Sequence, residues 1–195
     1  RRRVKNLRMR STIARPADAT AYQGGDEISN SATAGSVVRA VFDMSGFRQG
    51  RILAAELDLT AASGNVVTTA SDFELMIFKT EDVPAAVGDN VTNPITAAQR
   101  ASAVAIFRFD DTGWTGPLGT VAAGASQHQA VMAHLVQPLA TNVPQYPWPP
   151  GFLFNFDGAK LATGYSFTAV LRALAAWTPT AVVNTFGITL NIEAF

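Results

Sequence analysis

The stretch RILAAELDLTA, residues 51–61, carries the pattern that decides the fold. Acidic and apolar residues alternate along it, so its two sides differ: Ile52, Ala54, Glu56 and Asp58 against Leu53, Ala55, Leu57 and Leu59. A period of two is the spacing of a β-strand with one face toward a core and the other toward water. The stretch therefore predicts a half-buried strand whose leucines point inward.

Seven further segments have strand-like composition and are bounded by turn-forming residues. They are 36–44, 73–79, about 102–109, 128–139, 152–156, 165–177 and 186–195. FELMIFK, residues 73–79, is almost continuously apolar, which predicts burial on both faces. The last segment alternates again and places four apolar residues on one face: Phe186, Ile188, Leu190 and Ile192.

Helical signals are weak by comparison. A short helical turn is expected at the start of 95–109, and VLRALAAW (170–177) has helical propensity but flanks that favour a strand. Eight short strands without alternating helices predict an all-β fold, an antiparallel β-sandwich of jelly-roll type.

The totals limit the class of protein. A chain of 195 residues can form one β domain with a full core. It has no cysteine, which excludes disulfides, zinc–thiolate sites and thiol nucleophiles. Only 15% of its residues are charged, so we expect a partner or a second subunit to cover part of its surface.

The charges are unevenly distributed along the chain. The first ten residues, RRRVKNLRMR, hold six of the fifteen basic residues, while the other 185 hold nine basic and fifteen acidic ones, a formal charge of −6. We therefore predict a basic N-terminal arm over residues 1–11 and a single domain over residues 12–195. The arm suits an acidic protein surface, with Val4, Leu7 and Met9 as anchors. Nucleic-acid binding is the second alternative, although the arm has no aromatic residues for base stacking. A disordered solubilising tail is the third.

No motif predicts catalysis. His128 and His134 would share a strand face but lie roughly 20 Å apart, too far to share an ion. The adjacent acids Asp26-Glu27, Glu81-Asp82 and Asp110-Asp111 would point to opposite faces of a strand. Nucleophile elbows and phosphate-binding glycine loops are missing from the sequence. We expect no enzyme, no metal and no cofactor, with loop calcium at 88–90 or 110–113 as the weaker alternative.

Three aromatic residues fall in loops: Trp114, Tyr146 and Trp148. Rings in loops can stack on a sugar, which makes these residues candidate glycan or partner contacts. Because YPWPP (146–150) is also rigid and apolar, it fits a hydrophobic plug against the body or a neighbour equally well.

One stretch carries the pattern I-x-R-P-x-x-x-T-A-Y-x-x-G-D-x-I, met by Ile13, Arg15, Pro16, Thr20, Ala21, Tyr22, Gly25, Asp26 and Ile28. In this pattern the chain resembles a group of small virion proteins of tailed bacteriophages. A later portion is met by Leu75, Phe78, Pro84, Asp89 and Asn90. The resemblance is closest over residues 13–31 and loose over most of the rest. It implies an all-β structural protein, such as a capsid decoration or cement protein, or a fibre or tail component.

These observations together predict a non-enzymatic virion protein on the capsid exterior, which decorates and stabilises the capsid by binding the major capsid protein. We expect a homo-oligomer, most simply a trimer, without nucleic-acid or membrane partners. The predicted contact residues of the arm are Arg1, Arg2, Arg3, Lys5, Leu7, Arg8 and Arg10. The alternative is a tail fibre, spike or head-fibre module that binds host surface glycans through the loop aromatics.

Overall fold

The computed structural model describes residues 4–61, 71–114, 126–132, 151–156 and 165–195. Within them lie one short helix, α1 (Ala97–Ser102), and eleven strands. The strands are β1 (Lys5–Ala14), β2 (Asp26–Ile28), β3 (Val41–Asp43), β4 (Gln49–Ala61), β5 (Phe73–Lys79), β6 (Val91–Thr92), β7 (Ala105–Phe109), β8 (Ser126–Met132), β9 (Phe152–Asn155), β10 (Ser166–Ala173) and β11 (Asn184–Ala194). None of the helical segments in these ranges has the length and apolar character needed to cross a membrane.

The strands form two antiparallel sheets that pack against each other, which confirms the predicted β-sandwich. One sheet has the order β1-β11-β4-β8, with β9 beside β8 on the same edge of β4. The other has the order β6-β2-β10-β5-β7, with β3 beside β2 on the same edge of β10. The predicted helical turn before β7 is present as α1, and residues 166–173 form a strand rather than a helix.

The strand order is that of a jelly roll. Along the chain, β1 pairs with β11, β2 and β3 with β10, β4 with β8 and β9, and β5 with β7. These are the pairs of one long hairpin folded back on itself. When the hairpin rolls up, β11 also meets β4 and β10 also meets β5, which closes the two sheets. The crossings between the sheets, which follow β1, β3, β4, β7, β9 and β10, are therefore a consequence of the rolling.

Aromatic residues fill the space between the sheets. Phe73 lies near the centre of one cluster and contacts the rings of Trp114, Trp177 and Phe186 edge-on. Edge-to-face contacts of this kind add to the free energy gained by burying the rings. The four predicted inward residues of β11 are all buried, as their alternation required: Phe186, Ile188, Leu190 and Ile192.

The alternation predicted for β4 is interrupted by a β-bulge. Asn191 lies opposite Ala54, whereas the next residue of β11, Ile192, lies opposite Ile52, so Leu53 is the extra residue. Ile52 is consequently buried in the core and Leu53 is only half-buried. The prediction was correct for Ala55, Leu57 and Leu59, but it placed Ile52 and Leu53 on the wrong sides.

The predicted N-terminal arm is corrected from Lys5 onward. Lys5–Ala14 forms β1 and pairs with β11 along its whole length, from Lys5 opposite Ala194 to Ala14 opposite Thr185. The cause is a period-two pattern beneath the charges: Leu7, Met9 and Ile13 face the core, while Arg8, Arg10 and Thr12 face outward. Arg1, Arg2 and Arg3 lie outside the described residues.

The six-stranded sheet is buried on both faces around β5, as its apolar run predicted. On its outer face, Met76, Phe78 and Val170 form a second apolar cluster. Val83, Ile95 and Ala103 of the segment that carries α1 pack against this cluster and cover it.

The same cover buries the carboxylate of Glu74. Arg100 of α1 donates two hydrogen bonds to it, at 2.8 and 2.6 Å, and Arg172 of β10 donates one at 2.7 Å. Arg108 lies 3.7 Å away. Burial alone would raise the pKa of Glu74, but the hydrogen bonds and charges of Arg100 and Arg172 outweigh it, so this pKa lies below its ordinary value.

We expect Glu74→Gln to lower the free energy of unfolding at neutral pH by about 3 kcal/mol, because it leaves the largely buried Arg172 without its counter-charge. Since the folded pKa of Glu74 is lowered, its contribution is present above the ordinary glutamate pKa and is lost as the pH falls through the folded value. Urea unfolding of both proteins from pH 7 down to pH 3 should therefore show a difference that shrinks in acid. Glu81→Gln, at an exposed acid, is the control and should change little. An equal difference at every pH would contradict the assignment.

Candidate partner-binding surface

The outer side of the five-stranded sheet displays two arginines of β1. Arg8 and Arg10 point away from the core, and their side chains are 68% and 55% exposed. Below them lie Glu56 and Asp58 of β4, which are much less exposed. We call the surface formed by these four residues the charged face.

Two ion pairs cross the charged face above β11. Arg8 Nη2 lies 2.8 Å from Glu56 Oε2, and Arg10 Nη2 lies 2.8 Å from Asp58 Oδ1. Each pair links strands that are separated by β11, and Gly187 of β11 makes one crossing possible. A Cβ at Gly187 would overlap the side chains of Arg10 and Asp58. Glycine in the middle of this central strand is thus explained by the close approach of a salt bridge.

Glu56 is the most heavily bonded group of the charged face. Its carboxylate accepts a hydrogen bond from Asn191 Nδ2 at 2.8 Å and lies 3.3 Å from His128 Nε2. The hydrogen bond from Asn191, together with those from Arg8 and His128, holds the pKa of Glu56 below its ordinary value despite partial burial. Glu56 is therefore ionised at neutral pH and tied to basic neighbours. A carboxylate in this state suits charge pairing rather than proton donation.

The remaining predicted arm residues divide between core and surface. Leu7 and Met9 are half-buried and pack against the main core. Lys5 Nζ lies 5.4 Å from the centre of the Phe47 ring, a cation–π distance. Val4, which precedes β1, is exposed. Leu7 therefore supports the fold from within, and the basic residues of β1 are held by strand pairing.

The predicted loop aromatics are only partly described. Trp114 follows a 3₁₀ turn (Asp111–Gly113), and its ring is half-buried, 5.8 Å from the centre of Phe73 and edge-on to it. This ring thus belongs to the core packing, which leaves less of it for a sugar. Tyr146, Trp148 and His134 lie outside the described residues, and the glycan contact stays a prediction.

Metal-binding groups do not cluster in the described part of the chain: no set of three His, Asp or Glu residues there could hold an ion. His128 pairs with Glu56 instead. In the candidate calcium loop 88–90, Asp89 accepts a hydrogen bond from the Tyr22 hydroxyl and the Asn90 N–H donates to the Glu27 carbonyl at 3.0 Å. Asp110 leads into the 3₁₀ turn.

Sequence reasoning missed a buried network built from the virion-like pattern. The Tyr22 hydroxyl donates to the Asp89 carboxylate, with both oxygens at 2.7 Å, and accepts a hydrogen bond from Arg15 Nε at 3.0 Å. Asp89 also accepts from the backbone N–H of Ser29 at 2.8 Å. Arg15 Nη2 donates to the carboxylate and the backbone carbonyl of Asp18, both at 3.0 Å. All three central side chains are buried.

Burial raises the pKa of both Tyr22 and Asp89. It raises the pKa of Tyr22, and the neighbouring Asp89 charge raises it further, so the hydroxyl keeps its proton and can donate. Burial also raises the pKa of Asp89, against the opposing effect of its hydrogen bonds from Ser29 and Tyr22 and the charge of Arg15.

Other residues of the same pattern have structural roles nearby. Ile13 and Ile28 are buried in the core, and Gly25 has a φ of 99°, which favours glycine. Asp26 accepts hydrogen bonds from the Gln23 backbone at 2.6 Å and from Thr92 Oγ1 at 2.7 Å. The pattern therefore describes a structural joint between β1, β2 and the loop before β6. In the sequence, the two segments that form this joint were connected only by their shared resemblance to virion proteins.

Known proteins add no family assignment. A scan against models of protein families finds no match for this chain, and a search of curated proteins finds no significant similarity. The resemblance to phage virion proteins therefore remains a prediction.

We expect Tyr22→Phe to lower the free energy of unfolding by about 2–3 kcal/mol, because it removes one hydrogen bond to a buried carboxylate and one from a buried guanidinium. Urea unfolding at pH 7 measures the change. Tyr165→Phe, in a half-buried ring that packs on Phe156, is the matched control and should cost less than 1 kcal/mol. Equal costs for the two variants would show that the Arg15–Tyr22–Asp89 network contributes no special stability.

Proposed function

We propose that this protein is a non-enzymatic structural component of a phage virion. In this proposal it decorates the capsid exterior and stabilises it by binding the surface of the major capsid protein. The observation that carries the proposal is the pair of exposed arginines on the outward face of β1. Arg8 and Arg10 are held there in fixed register by the ten residue pairs between β1 and β11.

A rigid strand is better suited to docking than a flexible arm. Ordering a flexible segment on binding costs conformational entropy, whereas β1 is already ordered by the sheet. The charged face can therefore present Arg8 and Arg10 to an acidic surface with little reorganisation. Complementary charge of this kind mainly contributes orientation, selectivity and association rate.

The internal ion pairs leave donors available on Arg8 and Arg10. A guanidinium has five N–H donors, and each of these two uses Nη2 in its pair with Glu56 or Asp58. Each can therefore keep its internal partner and also donate to a carboxylate of another protein. Arg1, Arg2 and Arg3, which precede β1 in the sequence, would extend the basic character of this end of the chain.

The body of the protein also suits this role. A cement protein needs a stable body and a docking surface, and the two sheets share one aromatic-rich core. The joint formed by Arg15, Tyr22 and Asp89 gives the virion-like pattern a structural purpose, which supports a shared fold with those proteins. We propose further that several copies act together as a homo-oligomer, most simply a trimer, so that weak contacts add up.

We expect the wild-type chain to co-sediment saturably with undecorated phage heads. The double variant Arg8→Ala/Arg10→Ala should bind at least tenfold more weakly, because two cations of the docking strand are lost. Wild-type binding should weaken from low to high salt, since exposed charges are screened. Substitution is preferable to deleting residues 1–11, because the deletion would remove most of β1.

The control is Lys79→Ala/Arg108→Ala, which removes two cations from the other sheet and should bind heads as the wild type does. Urea unfolding checks that both double variants are folded. Absence of head binding by the wild-type chain would refute the proposal and favour glycan binding. Unchanged binding by Arg8→Ala/Arg10→Ala would refute β1 as the docking strand.

A further inference from the structure

Among the described residues, β1 is paired along one side only. It makes a continuous ladder of ten residue pairs with β11, and no strand in the described ranges pairs with its other side. A strand in this position presents a row of backbone N–H and C=O groups that a further strand can bind. Long, regular strand edges of this kind are used for recognition by strand addition.

The register shows which backbone groups lie on the free edge. The N–H of Arg15 donates to the Asn184 carbonyl at 2.9 Å, so residue 15 bonds toward β11. In an antiparallel ladder, successive residues direct their N–H and C=O groups to opposite sides. The free edge therefore carries the backbone groups of the even-numbered residues: Asn6, Arg8, Arg10, Thr12 and Ala14.

The same alternation holds on the far side of β11. The N–H of Phe195 donates to the carbonyl of Gln49 at 3.0 Å, so the odd-numbered residues at this end of β11 bond toward β4. Its even-numbered residues, such as Ala194 and Ile192, then bond toward Lys5 and Leu7. Both ends of the ladder thus give the same assignment of the free edge.

Charge selects the kind of strand that fits. In antiparallel pairing of β1 with a second copy of itself, a register centred on Met9 would place Arg8 directly opposite Arg10 of the other copy. Like charges in directly opposite positions are destabilising, so the edge is poorly suited to self-association. Acidic residues opposite Arg8 and Arg10 would instead form cross-strand pairs of opposite charge.

The inner side of the edge selects apolar residues. Leu7 and Met9 are half-buried and border the main core at this edge. A strand added beside β1 would place alternate side chains next to them, between the two sheets. Apolar side chains there would remove the remaining exposed surface of Leu7 and Met9 from water.

We infer that the free edge of β1 binds an extended segment of a partner protein in which acidic and apolar residues alternate, as an added strand of the five-stranded sheet. This inference rests on the docking role proposed above for β1 and adds the chemistry of the contact. Backbone hydrogen bonds supply affinity, while Arg8 and Arg10 on one side and Leu7 and Met9 on the other select the sequence.

The probe is a fluorescent ten-residue peptide of alternating Glu and Val, with an alternating Lys–Val peptide as its charge-reversed control. Fluorescence anisotropy with the full chain should show saturable binding of the Glu–Val peptide and at least tenfold weaker binding of the Lys–Val peptide. Equal binding of the two peptides, or binding of neither, would overturn the inference. The inference would also be overturned if the free protein sediments as a dimer through this edge and does not bind the Glu–Val peptide, because a second copy would then be the occupant.

Two variants block the edge without touching the ladder to β11. Thr12→Pro and Asn6→Pro each remove an N–H that faces the free edge, a position where sheets tolerate proline. Each should weaken Glu–Val binding at least tenfold, whereas Thr12→Ala should leave it within about twofold. Thermal unfolding identifies any variant that fails to fold, and the other proline variant then decides the result.

Co-sedimentation with phage heads distinguishes failure of this inference from failure of the proposed function. If heads bind the wild type and Thr12→Pro equally, docking stands and strand addition is overturned. If heads bind no version, the proposed function fails, and loss of Glu–Val binding in both proline variants would still support the edge site.

Discussion

The hydroxyl of Tyr22, held between Arg15 and Asp89, is the contact on which the sandwich depends. Arg15 directly follows β1 of one sheet, Tyr22 precedes β2 of the other, and Asp89 lies in the loop before β6. Buried charges are stable only where partners meet them with good geometry. The network therefore fixes how the chain leaves the first sheet and enters the second, which is the first step of the rolled hairpin.

The fold class could be predicted because segments 51–61 and 186–195 alternate and the other predicted strands have strand-like composition between turn-forming residues. Sequence reasoning missed β1 because six basic residues in ten look like a solvated arm. The alternation was nevertheless present: Leu7 and Met9 face inward, and Arg8 and Arg10 face outward. Charge on one face of a strand is compatible with pairing when another strand of the sheet supplies counter-charges, and here β4, on the far side of β11, supplies Glu56 and Asp58.

Other features depend on contacts between residues far apart in the chain. The bulge at Leu53 arises from the register of β4 against β11, which local alternation does not encode. Glu74 pairs with Arg172, 98 positions later, and Tyr22 with Asp89, 67 positions later. A single sequence does not distinguish a buried acidic residue from an exposed one, so these pairs could not be predicted without knowing the topology.

The contrast between a basic N-terminus and an acidic remainder is partly neutralised in space. Arg8 and Arg10 lie over Glu56 and Asp58, so these charges, far apart along the chain, are neighbours on the charged face. A partner carboxylate must share these guanidiniums with the internal acids, and exposed pairs of this kind are each worth less than about 1 kcal/mol. Charge alone therefore gives selectivity but little affinity at this surface. If β1 binds a partner as proposed, further affinity would come from the backbone N–H and C=O groups on the edge of β1 that no strand in the described ranges pairs with.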